Sequence, residues 1–500
     1  MIGHVGRKLS DAKHAVEAAI LLLLLLVFVG APESRAKIRK LQTNVVVDPG
    51  SEGRPLAILH VSVVDVLSGN IEPDMAVLVS GQEIREVEPS KSVHVPRQAH
   101  VIDARGKYLI PGLWDMHVHS LWNAKLPATY FPLFLANGVT GVREMGGPMP
   151  AVDQVRWRNE LASGAVVGPR MVVAGPFVDG PHPIWPGSIK VATADDGKRA
   201  VDSLKAAGVD FVKVYTTVPR PAYFGIAEEA KNDGIPFVGH VPLVIGVDEA
   251  SNAGQKSIEH LAQGGILLYC SSKSAELIAD LMTGMNSNQL NDQMVDTYDP
   301  ARAATLFSLF VKNDTWQVPT LTIRHARPYL RELQAANDPR LKYLPKDVVD
   351  SWGPKLDARQ PTDPTVLASR KRLFQKEVEV VGAMHRAGVK LLAGTDAGNP
   401  FSFPGFSLHD ELGFMVQAGL TPLEALQTAT INPARFLGMT NTLGTVEEGK
   451  IADLVLLDAN PLENISNTKS IRAVVSNGRF FDRGALDRML ADAAASSAKQ

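Results

Sequence analysis

The chain of 500 residues is 45% hydrophobic and 21% charged, the composition of a globular protein with a sizeable core and not of a disordered one. Its 51 Lys and Arg against 53 Asp and Glu leave a formal net charge of -2, so no basic field exists to hold a phosphate backbone, and nucleic acid is not an expected partner. A single cysteine, Cys270, excludes an intrachain disulfide framework, a cysteine zinc ribbon and an iron–sulfur cluster, so any metal site has to use histidine and carboxylate. At roughly 150 residues per domain, the length predicts one large domain with a smaller companion.

Residues 18–31 read AAILLLLLLVFVGA, too short for a span of about 20 residues but suited to a signal-peptide core. Arg7, Lys8 and Lys13 give a basic flank, weakened by Asp11 and Glu17, and Ser34-Arg35-Ala36 gives a small-x-small pattern for cleavage after Ala36. Residues 1–36 therefore predict an export signal and a periplasmic or secreted protein with no stable membrane insertion once the signal is removed. An uncleaved anchor and a misplaced start codon are the alternatives. No cysteine follows the run, which excludes a bacterial lipoprotein anchor.

From Leu56 to Ile110 short β-rich runs alternate with turn signals: LAILHVSVVDV, Gly69-Asn70, MAVLVSG and HVIDARGKYLIPG. They read as antiparallel strands. LGTVEEGKIADLVLLDANP (443–461) and RAVVSNGRFF (472–481) have the same character, so the two chain ends predict one small β-sandwich domain, split into 42–110 and 441–485. Residues 486–500 are expected to form a helix that frays into a flexible tail.

Between these parts, over 111–440, apolar runs alternate with helical patterns, as for parallel strands buried on both faces. The runs are LWDMHVH (113–119), GVTGVREM (138–145), RMVVAGPFV (170–178), DFVKVY (210–215), PFVGH (236–240), SIEH (257–260), WQVPTLTI (316–323) and VKLLAGTD (389–396). Eight such runs predict an α/β fold, a (β/α)8 TIM-like barrel. Helices are expected within 200–210, 224–234, 374–389 and 421–439 from apolar spacing of three and four. Ser271 to Asn313 and Pro328 to Thr365 are long for connections. Such loops shape a pocket or lid, or are tolerated surface insertions.

In a strand, residues two apart share a face, so His117 and His119 would enter a barrel mouth together. Lys213, His240, His260 and Asp396 also fall at strand ends, where a barrel positions catalytic groups. Neutral imidazoles and a carboxylate suit zinc or a similar divalent ion with a position left for water.

The strings LIPGLWDMHVHS and GTDAG (394–398), the separate His240 and His260, and the terminal GTVEEGKIADLVLLDANP together resemble the amidohydrolase superfamily from about Leu56 to Phe481. Within it they resemble the imidazolonepropionase-like group that includes Xaa-Pro and Xaa-Arg/Lys dipeptidases and ochratoxin-type amidases. The resemblance implies that His117 and His119 bind a more buried metal and that His240 and His260 bind a more exposed one. Asp396 then binds metal and handles the proton, as general base and later acid. Lys213 matches the lysine that bridges two metals as N6-carboxylysine; flanking Phe211, Val212, Val214 and Tyr215 should lower its pKa. Imidazolonepropionase itself, being mononuclear, uses no such lysine.

The resemblance thus implies a hydrolase with two divalent ions, zinc being expected. A metal-bridging hydroxide would cleave an amide or peptide bond in a dipeptide or N-acyl amino acid. His182, in the loop after the third strand, could polarise the carbonyl or hold a carboxylate. Tyr215 could donate to substrate, and His325 with Arg324 could meet a carboxylate. Arg143 reads as a structural ion-pair residue, Cys270 as a buried hydrophobe, and His409 as helix-start chemistry near the pocket. A mononuclear cyclic amide hydrolase or deaminase is the alternative, and a noncatalytic metal-binding scaffold is the alternative of another class. The oligomeric state is not legible, although barrels of this family are often multimeric.

Overall fold

The alternating runs of the amino-terminal part form β1 (Leu56–Val64), β2 (Ile71–Ser80), β3 (Glu83–Pro89), β4 (His100–Asp103) and β5 (Tyr108–Pro111). The central runs form β6 (Leu113–Val118), β7 (Val139–Glu144), β8 (Arg170–Val173), β9 (Val178–Asp179), β10 (Ile189–Lys190), β11 (Val212–Val214), β12 (Phe237–Gly239), β13 (Ser257–Glu259) and β14 (Trp316–Val318). β15 (Leu454–Leu457), β16 (Ile471–Ser476) and β17 (Arg479–Asp482) follow. This computed structural model describes residues 54–282, 287–359 and 363–498, so the expected leader at 1–36 lies outside the described residues. Among the described residues no helix is long and apolar enough to cross a membrane.

Strands 56–111 and 454–482 form one continuous hydrogen-bonded sheet of eight strands, ordered β17-β16-β15-β5-β1-β2-β3 with β4 on β1. Not all of it is antiparallel. The turn at Gly69-Asn70 forces β1 and β2 antiparallel, whereas the long stretch after β3 crosses over and delivers β4 and β5 parallel to β1. Ile58, Val77, Ile84, Leu109 and Leu454 are fully buried in its core, and each such side chain stabilises by about 1.5–3 kcal/mol.

The central strands pair in parallel, β6-β7-β8 in one sheet and β9-β11-β12-β13-β14 in another, with β10 on β9. Every residue of β6, β7 and β11 is buried, which is why these strands read as apolar runs without alternation. The third expected run breaks into β8 and β9 at Gly175, whose φ is 76°. The eighth, 389–396, forms no regular strand. It nevertheless lies between β14 and β6: Leu392 N donates to Gln317 O at 3.0 Å and Asp396 N to His117 O at 2.7 Å. Its ladder is interrupted where Gly394 passes so close to His117 that a Cβ would stand 2.8 Å from His117 Cβ.

Three of the expected helices form. Ala194–Ala206 starts on a Thr193–Asp196 capping box, Arg220–Asp233 ends on left-handed Gly234, and Pro364–Arg386 starts on Asp363. The helix expected over 421–439 is two, Pro422–Thr428 and Ile431–Leu437. Pro433 is the reason: it has no N–H, and its ring would clash with the carbonyl of Ala429 in a continuous helix.

The long excursions carry helices of their own, including Ser287–Asp296 and Lys346–Arg359. The carboxyl-terminal helix runs from Arg483 to Ser497, capped by Asp482. Leu486, Met489 and Ala493 form a buried stripe, the helix packs on Leu126–Ala136, and Ser497 Oγ donates to Tyr343 O at 2.9 Å.

Candidate metal centre

The six residues singled out at strand ends come together. His117 is the penultimate residue of β6 and His119 comes directly after that strand, Lys213 sits within β11, His240 and His260 come directly after β12 and β13, and Asp396 arrives on the irregular 389–396 segment. The His117 ring lies 4.6 Å from that of His260 and 5.4 Å from that of His119, and His240 lies 5.2 Å from His260. Asp396 Oδ1 stands 3.6 Å from His117 Nε2 and 3.2 Å from His119 Nε2, and Oδ2 stands 4.0 Å from His260 Nε2. Ligand atoms of His117, His260 and Asp396 all lie within 4.8 Å of one another.

The outer hydrogen bonds decide what these nitrogens present to the centre. His117 Nδ1 faces Glu259 Oε2 at 2.8 Å, and His119 Nδ1 faces the Gly146 carbonyl at 2.7 Å. Neither oxygen can donate, so both Nδ1 atoms carry the proton. Thr320 Oγ1 donates to Pro319 O at 2.7 Å and so accepts from His260 Nδ1 at 2.6 Å. In their neutral forms the three imidazoles thus point Nε2 lone pairs toward the Asp396 carboxylate. Lone pairs against a carboxylate repel unless a cation lies among them, so the donor set fits a divalent metal.

The buried atoms without a hydrogen-bond partner include His117 Nε2, Asp396 Oδ1 and Lys213 Nζ, all three at this point. Burial and the neighbouring Lys213 push His117 down to about 4. At His119 burial acts the same way, but the negative charge of the adjacent Asp396 carboxylate outweighs it and raises the pKa, so a positive charge is favoured at this point. Burial also pushes Lys213 down to about 8, into the range where a neutral amine is accessible. Burial works against the Asp396 carboxylate, yet the surrounding His260, His119 and His117 hold it well below its usual range.

Beneath the centre, Arg143 holds the frame. It donates from Nε to Met116 O at 2.6 Å, from Nη1 to Ser257 Oγ at 3.0 Å, and from Nη2 to both Glu259 oxygens at 2.9 and 3.0 Å. Backbone strain concentrates here as well. His260, Leu261, Ala262 and Gln263 make a left-handed turn with φ of 57°, 53°, 52° and 52°, and Thr320 and Asp396 have φ of 50° and 60°. Each such residue costs about 1–3 kcal/mol and persists only where packing enforces it. Gly239 clears space for Lys213: a Cβ there would meet Lys213 Cδ at 2.8 Å and Val214 O at 2.3 Å.

The centre opens into a cavity of about 540 Å³. One wall is aromatic: Tyr215 stacks on His240 at 4.3 Å and on Phe177 at 4.7 Å, and Trp185 meets Trp122 at 4.9 Å. Trp185 Nε1 donates to Tyr215 Oη at 2.8 Å, leaving the Tyr215 hydroxyl hydrogen for another acceptor. Burial pushes the Tyr215 phenol up to about 12, so it stays protonated. Asp347, Val348 and Ser351 of the Lys346–Arg359 helix line the opposite side, so the second long excursion does shape this pocket.

The amidohydrolase family model matches residues 108–481. This chain belongs to the amidohydrolase family. It is a hydrolytic enzyme acting on carbon–nitrogen bonds. Ochratoxinase of Aspergillus niger is 24% identical over 88% of this chain and 90% of its own length. Among solved structures, a bottromycin amidohydrolase superposes with a TM-score of 0.72 at 24% identity, covering 94% of each chain. A Xaa-Pro dipeptidase with methionine in its active site gives 0.61 at 20% identity, covering 86% of this chain and 100% of its own.

Other expected site residues of this amidohydrolase lie elsewhere. His182 is exposed and does not line the cavity; its loop contributes Trp185 instead, because Trp185 packs on Trp122. His325 does not line the cavity: it is stacked on Tyr329 at 4.4 Å and tilted against Phe414 at 5.0 Å, and is the half-buried residue of the otherwise buried helix Leu321–Ala326. His409 is buried between Thr468 Oγ1 at 2.9 Å and Asn137 O at 3.0 Å, a packing role. Arg143 is structural, as expected, and Cys270 is buried. Sequence reasoning missed Glu259 and Thr320. Glu259 carried a signal, an acid directly before His260 at a strand end; Thr320 carried none.

Proposed function

We propose that this amidohydrolase is a binuclear metal-dependent amidase or dipeptidase, acting on an amide or peptide bond of a dipeptide or an N-acyl amino acid. Its parallel strands with the 389–396 segment are read as a (β/α)8 barrel, and its residues 1–36 as an export signal. The observation that carries the reading is the convergence of three lone-pair nitrogens on Asp396 beside the unpartnered amine of Lys213. His117, His119 and Asp396 would hold one divalent ion and His240 with His260 a second. Lys213, as N6-carboxylysine, would join them, with zinc the expected metal. Metal bound there supplies Lewis acidity toward the carbonyl and an acidified water.

The chain's own groups do the rest. Asp396, ionised and free of a hydrogen bond at Oδ1, accepts the proton of the attacking water and returns it to the leaving amine. Tyr215 keeps its hydroxyl proton and donates it as a hydrogen bond to a substrate oxygen. Glu259 and Thr320 fix the tautomers of His117 and His260. The Lys346–Arg359 helix and the Trp122–Trp185 wall restrict water around the scissile bond. The likeness to proteins described as ochratoxinase and Xaa-Pro dipeptidase supports the amide or dipeptide class.

Metal per protomer, measured beside hydrolysis of Xaa-Pro, Xaa-Lys and N-acyl amino acid panels, tests this. Two ions with chelator-sensitive cleavage are expected. One ion without cleavage favours the mononuclear cyclic-amide hydrolase or deaminase, and no metal after reconstitution overturns a metal mechanism.

A further inference from the structure

Thr320 sets the His260 tautomer from a conformation that a β-branched residue rarely adopts. It lies just past β14 with φ 50° and ψ 50°, in the left-handed region, and opens the helix Leu321–Ala326. Such a residue persists only where its surroundings hold it. Its own side chain is already committed, with the hydroxyl donating to Pro319 O at 2.7 Å and accepting from His260 Nδ1 at 2.6 Å. The hold comes from another element. Glu411, fully buried on the helix Phe406–Gln417, accepts from Leu321 N at 2.9 Å through Oε1. Its Oε2 accepts from Thr322 N at 2.7 Å and from Thr322 Oγ1 at 2.8 Å.

Leu321 N belongs to the Thr320–Leu321 peptide, so the first of these bonds fixes that peptide plane and the backbone from which the Thr320 hydroxyl projects. Thr320 makes no side-chain cap bond, and Glu411 supplies from a distance the acceptors that the first N–H groups of the helix lack. We propose that Glu411 is a positioning residue for the metal centre. By locking the corner at Thr320 it fixes the Nδ1–H tautomer of His260, and with it the Nε2 lone pair offered to a second ion. The metal consequence rests on the binuclear reading above; the tautomer does not.

Two measurements on the full chain at pH 8, above the value of about 7 to which burial pushes the Glu411 carboxyl, test it. The first is zinc affinity by competition with a chelator, for the wild type, E411Q, T320V and the double variant. A glutamine accepts at one oxygen only and turns its own N–H groups toward a donor. E411Q and T320V should each weaken the second zinc about 10- to 100-fold, and the double variant should be no weaker than the worse single one, because both break one relay. The second is the nitrogen-15 spectrum of the histidine rings in zinc-stripped protein, with His260 assigned by its loss in H260Q. The wild type should show His260 protonated at Nδ1, and E411Q a mixture of tautomers, whereas a purely structural loss would lower the denaturation midpoint and move neither readout. If E411Q does not fold, T322V, which removes one of the three donors, should shift both readouts the same way by a smaller factor. A wild-type His260 tautomer in the folded variant overturns the proposal. So does an unchanged second affinity, or additive losses, where the wild type binds two ions. A changed tautomer in a protein that never takes a second zinc supports the positioning role and fails the binuclear reading alone.

Discussion

Glu259 Oε2 lies 2.8 Å from His117 Nδ1 while both Glu259 oxygens hold Arg143, so one fully buried carboxylate orients the His117 imidazole and neutralises the guanidinium beneath it. E259Q keeps the shape and removes the charge. Metal affinity should fall about 10- to 100-fold, read by competition with a chelator. E259A should also lose about 3–5 kcal/mol of stability, because Arg143 is left buried without its partner. Wild-type metal affinity in E259Q would refute the orienting role.

Gly239 has φ 124° and no room for a Cβ beside Val214 O and Lys213. G239A should cost more than about 1 kcal/mol and displace Lys213. Gly254, with φ 86° and nothing within 4 Å, supplies the control: G254A carries only the backbone strain. Denaturant midpoints of the two variants decide, and an equal loss in both would contradict a packing cost at Gly239.

On the proposed binuclear reading, Lys213 separates one metal from two. K213A should bind fewer than two ions per protomer and lose at least about 100-fold in kcat/KM, since a two-metal clamp would be dismantled. Retention of most activity would sink the bridged site and favour a mononuclear mechanism.

His409 gives the fold a defined acid sensitivity. Burial, with a smaller contribution from Lys469, pushes it down to about 4, below its unfolded value. A histidine depressed by folding contributes stability that is complete above about 6.5 and is lost as pH falls from there toward about 4. The loss should reach about 3 kcal/mol, from about 1.4 kcal/mol per pKa unit. Denaturation of the wild type and H409Q at pH 7.5 and 5.0 measures it: the variant should be weaker at 7.5 but fall less. Parallel losses in the two proteins would show that His409 is not the sensor.

The candidate ligands were legible because parallel strands buried on both faces read as apolar runs, and a polar residue at the end of such a run stands out. His117, His119, Lys213, His240, His260 and Asp396 all announced themselves in that way. His182 and His325 were misread because a loop and a short helix past a strand have no periodicity to fix direction. Trp185 turned one loop's contribution, and the Tyr329, Phe374 and Phe414 rings drew His325 away.

The sequence by itself determined which residue types stand at which strand ends, that both chain ends build one β-rich unit, and that any metal would meet histidine and carboxylate. Tertiary structure alone decided the tautomers, through Glu259, Gly146 and Thr320; the irregular path of 389–396; the docking of the last helix; and the hold of Glu411 on Leu321 and Thr322. The physical reason is range. Periodicity and strand alternation act over a few residues and fix which side chains share a face, whereas apposition of Glu259 with His117, 142 residues apart, or of Glu377 with Arg324 exists only once packing has brought separate elements together.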